Sequence, residues 1–178
     1  APMIPKICWD DKDPNIRTCT SQLLTWCNTY PNTRIKLFSD SHQEAVNEGW
    51  QRQQMSAQKE VYFQQVTDAI FLHDHDQHIR QLYMQYPSLF VKPIKSHFQF
   101  LCKKYNEANK TLSSTGAGLT IEELKDKPEM SMLVDKILAN FPWWADLHGF
   151  WRTNLLYNTV FSMADPRQDF TAGAQQYF

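Results

Sequence analysis

Apolar residues along this chain recur mostly at steps of three and four, and the clearest case is "IKSHFQFLCKKYNEANKTLSSTGAGLT", Ile94 to Thr120. Ile94, Phe98, Leu101, Tyr105, Ala108 and Leu112 alternate steps of four and three, so at about 100° per residue they share one stripe. The pattern predicts one long amphipathic helix running to about Ser114. Pro93 suits its first turn, where a missing N–H costs nothing. Gly116 is expected to supply a left-handed C-cap, with Gly118 loosening the chain after it. The opposite side carries Lys92, Lys95, Gln99, Lys103, Asn106 and Lys110, also at steps of three and four. Between Ser88 and Leu112 there are five lysines and one acid, Glu107.

The same period covers most of the rest. "DPNIRTCTSQLLTWCNTYP" predicts a helix capped by Asp13, with Pro14 at its first position and Ile16, Cys19, Leu23, Cys27 and Tyr30 as its buried stripe. Pro31 ends it, and "TRIKLF" reads as a short apolar link. "SDSHQEAVNEG" offers Ser41 and Glu44 as a capping box and Gly49 as a break. "QKEVYFQQVTDAIFLHDHD" continues as helix through Val66, Ile70 and Phe71. "DQHIRQLYMQYP" is a short helix closed by Pro87. After "STGAGLT", Thr120 and Glu123 form another capping box, and "MSMLVDKILANFPWWADLHGFW" reads as helix, Pro-marked break, helix. The tail "SMADPRQDFTAGAQQYF" shows little periodicity. No strand pair or internal repeat is visible. The expected fold is all-α, with a helical domain over residues 1–119 and a C-terminal helical extension, 120–178, packed on it.

Composition narrows this picture. A chain of 178 residues, 42% hydrophobic, suffices for one domain or a domain with an extension. Five glycines disfavour architectures built on Gly-rich turns. No run of about 18 apolar residues exists, so no membrane-spanning segment is expected, and the opening "APMIPKICWDD" does not read as a signal peptide. With a net charge of −1, any nucleic-acid surface must be a local patch. Cys8, Cys19, Cys27 and Cys102 form no CxxC pair and read as reduced core thiols. Cys19 and Cys27, eight apart on nearly one helix face, would pair in a secreted helical protein.

Three clusters bear on chemistry. "HDHDQH", His73 to His78, nearly spells H-x-H-x-D-H, the zinc motif of metallo-β-lactamase-like hydrolases. The acid sits one place early, and the motif needs a layered α/β fold. On a helix His75 and His78 would share a face, so His73, His75 and His78 stand as metal candidates. A polar helix end with solvated or capping side chains is the favoured reading, and no metal or cofactor is expected. No nucleophile motif appears, so no enzyme is expected either. "FPWWADLHGFW" holds Phe141, Trp143, Trp144, Phe150 and Trp151. Trp144, Leu147 and Trp151 recur at helical spacing and read as core, although such density can also grip a peptide. The basic stripe mixes lysines with Gln99 and Asn106, which suits ammoniums on phosphates and amides on base edges.

The run Leu101, Lys103, Lys104, Tyr105 and Leu112, followed by Thr115, Gly116 and Gly118, resembles the Myb/SANT-like (trihelix) DNA-binding domain. That family ends its third helix with an L-K-K-x-Y-like run and a small TGxG turn. An acidic segment with a short aromatic element often follows, and "FPWWADLHGFWRTN" is similar in position. Phe98 stands where the family has a tryptophan, and "GAGL" where it has "GfGW". The chain is also similar to fungal proteins with KLFSDS…TGAGLT…FPWW-LHGFW blocks. The resemblance implies a helix-turn-helix type fold whose third helix enters the major groove. It also implies non-catalytic binding of double-stranded DNA in the nucleus, by a transcriptional regulator or a mobile-element accessory protein. On this reading Lys92, Lys95, Lys103 and Lys110 meet phosphates, Gln99 and Asn106 touch base edges, and Arg34 and Lys36 add backbone contacts. The alternatives are a SANT-type protein-interaction module using the aromatic C-terminal segment, a metal-dependent enzyme built on the histidines, and a secreted helical protein.

Overall fold

The computed structural model of the protein describes residues 2–13, 18–39 and 52–162. The proposed Ser41–Glu44 box, Pro14, Ile16, Gly49 and the end of the tail lie outside these. Every regular element among the described residues is helical, so the fold is all-α. The chain forms two compact units that divide between Ser96 and His97.

The first unit contains α1 (Cys19–Thr29), α2 (Pro31–Leu37), α3 (Arg52–Phe71), α4 (Gln77–Gln85), a 3-10 turn (Pro87–Phe90) and the start of α5 (Val91–Asn109). α1 begins at Cys19 because Thr18 and Ser21 form a reciprocal capping box. The Thr18 hydroxyl accepts from the Ser21 N–H at 3.2 Å and the Ser21 hydroxyl accepts from the Thr18 N–H at 3.0 Å. Asp13 is therefore not the cap. Leu23 and Cys27 are buried as the periodicity requires, but Tyr30 lies outside and packs on Trp26 at 5.7 Å. Pro31 does more than end α1: it takes the first position of α2, so "TRIKLF" is helix rather than link, with Leu37 buried at its end. α1, α2 and α3 pack on one another around Leu23, Cys27, Leu37, Phe38, Val66 and Ile70, all buried. Phe71, Tyr83 and Phe90 form an aromatic cluster, with Phe71–Phe90 centroids 4.8 Å apart and an edge-on Tyr83–Phe90 pair at 5.3 Å.

The second unit holds the rest of α5, a 3-10 turn (Lys110–Leu112), α6 (Ser113–Gly116), α7 (Ile121–Lys125), α8 (Pro128–Asn140), α9 (Trp144–Trp151) and α10 (Thr159–Ser162). Phe98, Leu101, Tyr105 and Leu112 are buried, as their spacing predicts. The long helix nevertheless stops earlier than the pattern suggests. The residue that reverses the chain is Ser113, at φ +63° and ψ 171°, a region that an L-residue occupies at a cost. Gly116 is not a left-handed cap. It lies within α6, where a Cβ would stand 3.2 Å from Leu112 Cβ and 3.6 Å from Met130 Cε. Thr120 and Glu123 form the expected capping box at α7. α8 and α9 are separated at Phe141–Trp143, and Trp144, Leu147 and Trp151 are fully buried.

The division between the units falls inside α5 and not near residue 119. The physical reason is that the C-terminal half of α5 is bonded to the far end of the chain. Tyr105 meets Trp151 edge-on at 5.6 Å, and Cys102, Asn106 and Asn109 share hydrogen bonds with Tyr157, Thr159 and Asn158. The supposed extension therefore shares its core with the long helix.

Candidate nucleic-acid interface

Within the second unit the wet side of α5 presents Gln99 and Lys103, and the 3-10 turn that follows it presents Lys110, all exposed. Among the described residues none of these three side chains has a hydrogen-bond or ion-pair partner. They border an open groove of about 370 Å³ that is also lined by Cys102, Asn106, Glu107 and Thr159. Lys104 is exposed next to this side, with its ammonium 5.8 Å from the centre of the Phe100 ring.

Asn106, read from the sequence as a base-contacting amide, does different work. Its Nδ2 donates to the carbonyls of Cys102 at 3.0 Å and Tyr157 at 2.5 Å. Its Oδ1 accepts from the N–H of Thr159 at 2.8 Å and from the Thr159 hydroxyl at 3.0 Å. Both amide donors and both lone pairs are taken, and the amide holds the start of α10. Helix geometry explains the difference. Lys103 and Lys110 point nearly opposite the apolar stripe, whereas Asn106 lies roughly 60° nearer its edge, beside buried Cys102 and Asn109. That border is covered by Tyr157–Thr159.

The remaining candidates belong to the first unit. Lys95 is paired with the Glu60 carboxylate and its ammonium lies 5.0 Å from the Phe63 ring centre. Arg34 donates from Nη1 to the Cys27 carbonyl at 3.2 Å, satisfying an acceptor in the last turn of α1. Lys36 and Lys92 are exposed, and their ammonium groups have no partner among the described residues.

Behind this groove lies a polar network that local spacing hardly reveals. Trp144 Nε1 donates to Asn109 Oδ1 at 2.9 Å, and Asn109 Nδ2 donates to Asn158 Oδ1 at 3.0 Å. Three successive carbonyls of the "GAGLT" turn then receive side chains from the C-terminal segment. Ala117 O accepts from Asn158 Nδ2 at 2.8 Å, Gly118 O from Arg152 at 2.8 Å, and Leu119 O from His148 Nε2 at 2.6 Å. Because a carbonyl only accepts, His148 carries its proton on Nε2. Its Nδ1 therefore accepts from the Tyr105 hydroxyl at 2.8 Å. Burial lowers the His148 pKa and keeps the ring neutral. His97, also buried, is lowered to about 4 for the same reason. The one available signal was the i, i+4 spacing of His148 and Arg152, which puts both on one side of α9.

The other clusters resolve into structure. α3 ends at Phe71, so His73 and His75 lie in the link before α4 and share no helix face with His78. Asp76 caps α4 by accepting from the His78 N–H at 2.8 Å, and Asp74 accepts from the Asp76 N–H at 2.8 Å. Among the described residues no group of three or more His, Cys, Asp or Glu is placed to hold a metal ion. Trp144 and Trp151 are core, so the aromatic C-terminal segment does not offer them to a partner. Cys19, Cys27 and Cys102 are buried thiols and Cys8 is exposed, so Cys19 and Cys27 are not joined. Burial pushes Cys19 and Cys102 up to about 12, leaving neither as a nucleophile at neutral pH. No described helix is long and apolar enough to cross a membrane. Comparison with protein-family models, with curated proteins and with solved structures gives no match for this chain.

Proposed function

We propose that the protein is a non-catalytic binder of double-stranded DNA, and that the wet side of α5 in the second unit is the surface that meets it. The observation that carries this reading is the set Gln99, Lys103 and Lys110. These residues, two on α5 and one on the 3-10 turn that follows it, are exposed and unpartnered among the described residues, and they border a single open groove. Ammonium groups there neutralise phosphates, and a free amide offers a donor and an acceptor to a base edge. The local charge is positive, with Lys103, Lys104 and Lys110 against Glu107, although the whole chain carries −1. The resemblance to Myb/SANT-like domains supports the same surface, since its Leu101 and Tyr105 are core while Lys103 and Lys104 are exposed. A nuclear role, in transcription or in a mobile element, follows from that resemblance.

The test is fluorescence anisotropy of a labelled duplex across a salt series. Two to three phosphate contacts give a log–log slope of about −2 to −3. Lys103→Ala and Lys110→Ala should each flatten it by about one unit and weaken all sequences alike. Gln99→Ala should cost about 1–3 kcal/mol on a selected site and little on random duplex. Absence of duplex binding at low salt, or a Lys103→Ala/Lys110→Ala variant with the wild-type slope, refutes the proposal.

A further inference from the structure

On the flank of the same helix Phe100 is 48% exposed, a large apolar ring in a basic neighbourhood. It lies three residues before Lys103, about 60° round the helix from it. On its N-terminal side the ring stacks on His97, with centroids 5.8 Å apart and planes inclined by 22°. His97 is buried, and burial lowers it to about 4, so at neutral pH the pair is two uncharged rings and not a ring beside a cation. The Lys104 ammonium lies over the ring, 5.8 Å from its centre, on a long flexible stem. A planar base needs about 3.5 Å of approach to a ring face. An ammonium displaced by such a base stays within reach of that nucleotide's phosphate.

We propose that Phe100, backed by His97 and flanked by Lys103 and Lys104, is a stacking platform for one unpaired base. The preferred partner is then DNA in which an unpaired nucleotide adjoins a duplex. This rests on the DNA-binding reading and names its ligand more closely: paired DNA meets Gln99, Lys103 and Lys110, and the unpaired base turns onto the neighbouring flank. Stacking on an aromatic face tolerates any base, because every base has a π-face. The platform therefore adds affinity for a DNA shape without adding sequence preference.

The experiment compares a duplex carrying one bulged 2-aminopurine with the same duplex fully paired, using the whole chain. The wild type should bind the bulged probe at least about fivefold more tightly, as one stacked base provides, and should quench its fluorescence. Phe100→Leu should remove both the preference and the quenching while keeping the paired-duplex affinity, and Phe100→Trp should retain both. The ring is on the surface, so circular dichroism should be unchanged in both variants. The proposal is overturned by the absence of a bulge preference, by a preference that survives Phe100→Leu, or by equal weakening of both probes. A protein that binds the paired duplex with Lys103-dependent salt sensitivity but ignores the bulge keeps the DNA-binding reading and loses this one. A protein that binds neither probe loses both.

Discussion

Replacing Asn106 with alanine separates a structural amide from a base-reading one. The side chain makes five hydrogen bonds, but they do not count equally: the one from Nδ2 to Cys102 Sγ, at 3.5 Å, is long and weak. The Cys102 carbonyl already lies at the i−4 position of the helix, so its bond to Nδ2 is an extra one and adds little. The other three, to Tyr157 O and to the N–H and hydroxyl of Thr159, contribute about 1 kcal/mol each. The site is half-buried, and water can reach some of the groups left behind, so the expected loss is about 2 kcal/mol. Urea unfolding followed by circular dichroism and by tryptophan fluorescence measures it, since buried Trp144 and Trp151 report on this unit. The midpoint should fall with little change in slope. A cycle pairing Asn106→Ala with Thr159→Val should show a coupling of about 0.5–1 kcal/mol. A stability change under about 0.5 kcal/mol, the range of ordinary surface substitutions, would refute the reasoning. Combined with lost DNA selectivity, it would return Asn106 to the role its spacing suggests.

Trp144→Phe should cost about 1–3 kcal/mol in the same assay, because it orphans buried Asn109 Oδ1 while keeping an aromatic ring in the core; a neutral result would remove the network from the energetics. Ser113→Gly should raise stability by about 1 kcal/mol by relieving the backbone at φ +63°, read as an increase in melting temperature. Gly118→Ala should destabilise by about 1–3 kcal/mol, since a Cβ would meet the Phe161 ring at 2.4 Å, and Phe161→Leu in the same chain should recover part of the loss. His97 and His148 are both held below their ordinary pKa by burial, so the unfolded chain binds protons that the folded chain refuses. Stability should therefore be full above about pH 6.5 and fall as pH drops from 6.5 towards 4. His97→Leu should flatten part of that slope in a urea series across this range, and an unchanged slope would contradict the assignment.

The sequence alone determined the all-α character and the buried stripe of α5, because side chains three and four apart must share a face whatever they pack against. It also determined the Thr120–Glu123 capping box and the core role of Trp144, Leu147 and Trp151, since both are written in local spacing. Local spacing misplaced the starts and stops: Thr18 displaced Asp13 as a cap, Pro31 opened a helix instead of a link, and Ser113 turned the chain before Gly116 could. Each of those choices depends on which competing local bond the packed chain keeps. What only the tertiary structure decided is the fate of the polar residues. Asn106 and Lys103 differ by about 60° around one helix, and no periodicity says which border the chain's far end will cover. Tyr157–Thr159 cover the Asn106 side, more than 50 residues away in sequence, and Glu60 takes Lys95. Gln99, Lys103 and Lys110 remain exposed, because no described residue bonds or pairs with them, although Thr159 lines the same groove. Which polar groups stay available to a partner is set by long-range contacts, and a pattern read along one helix does not contain them.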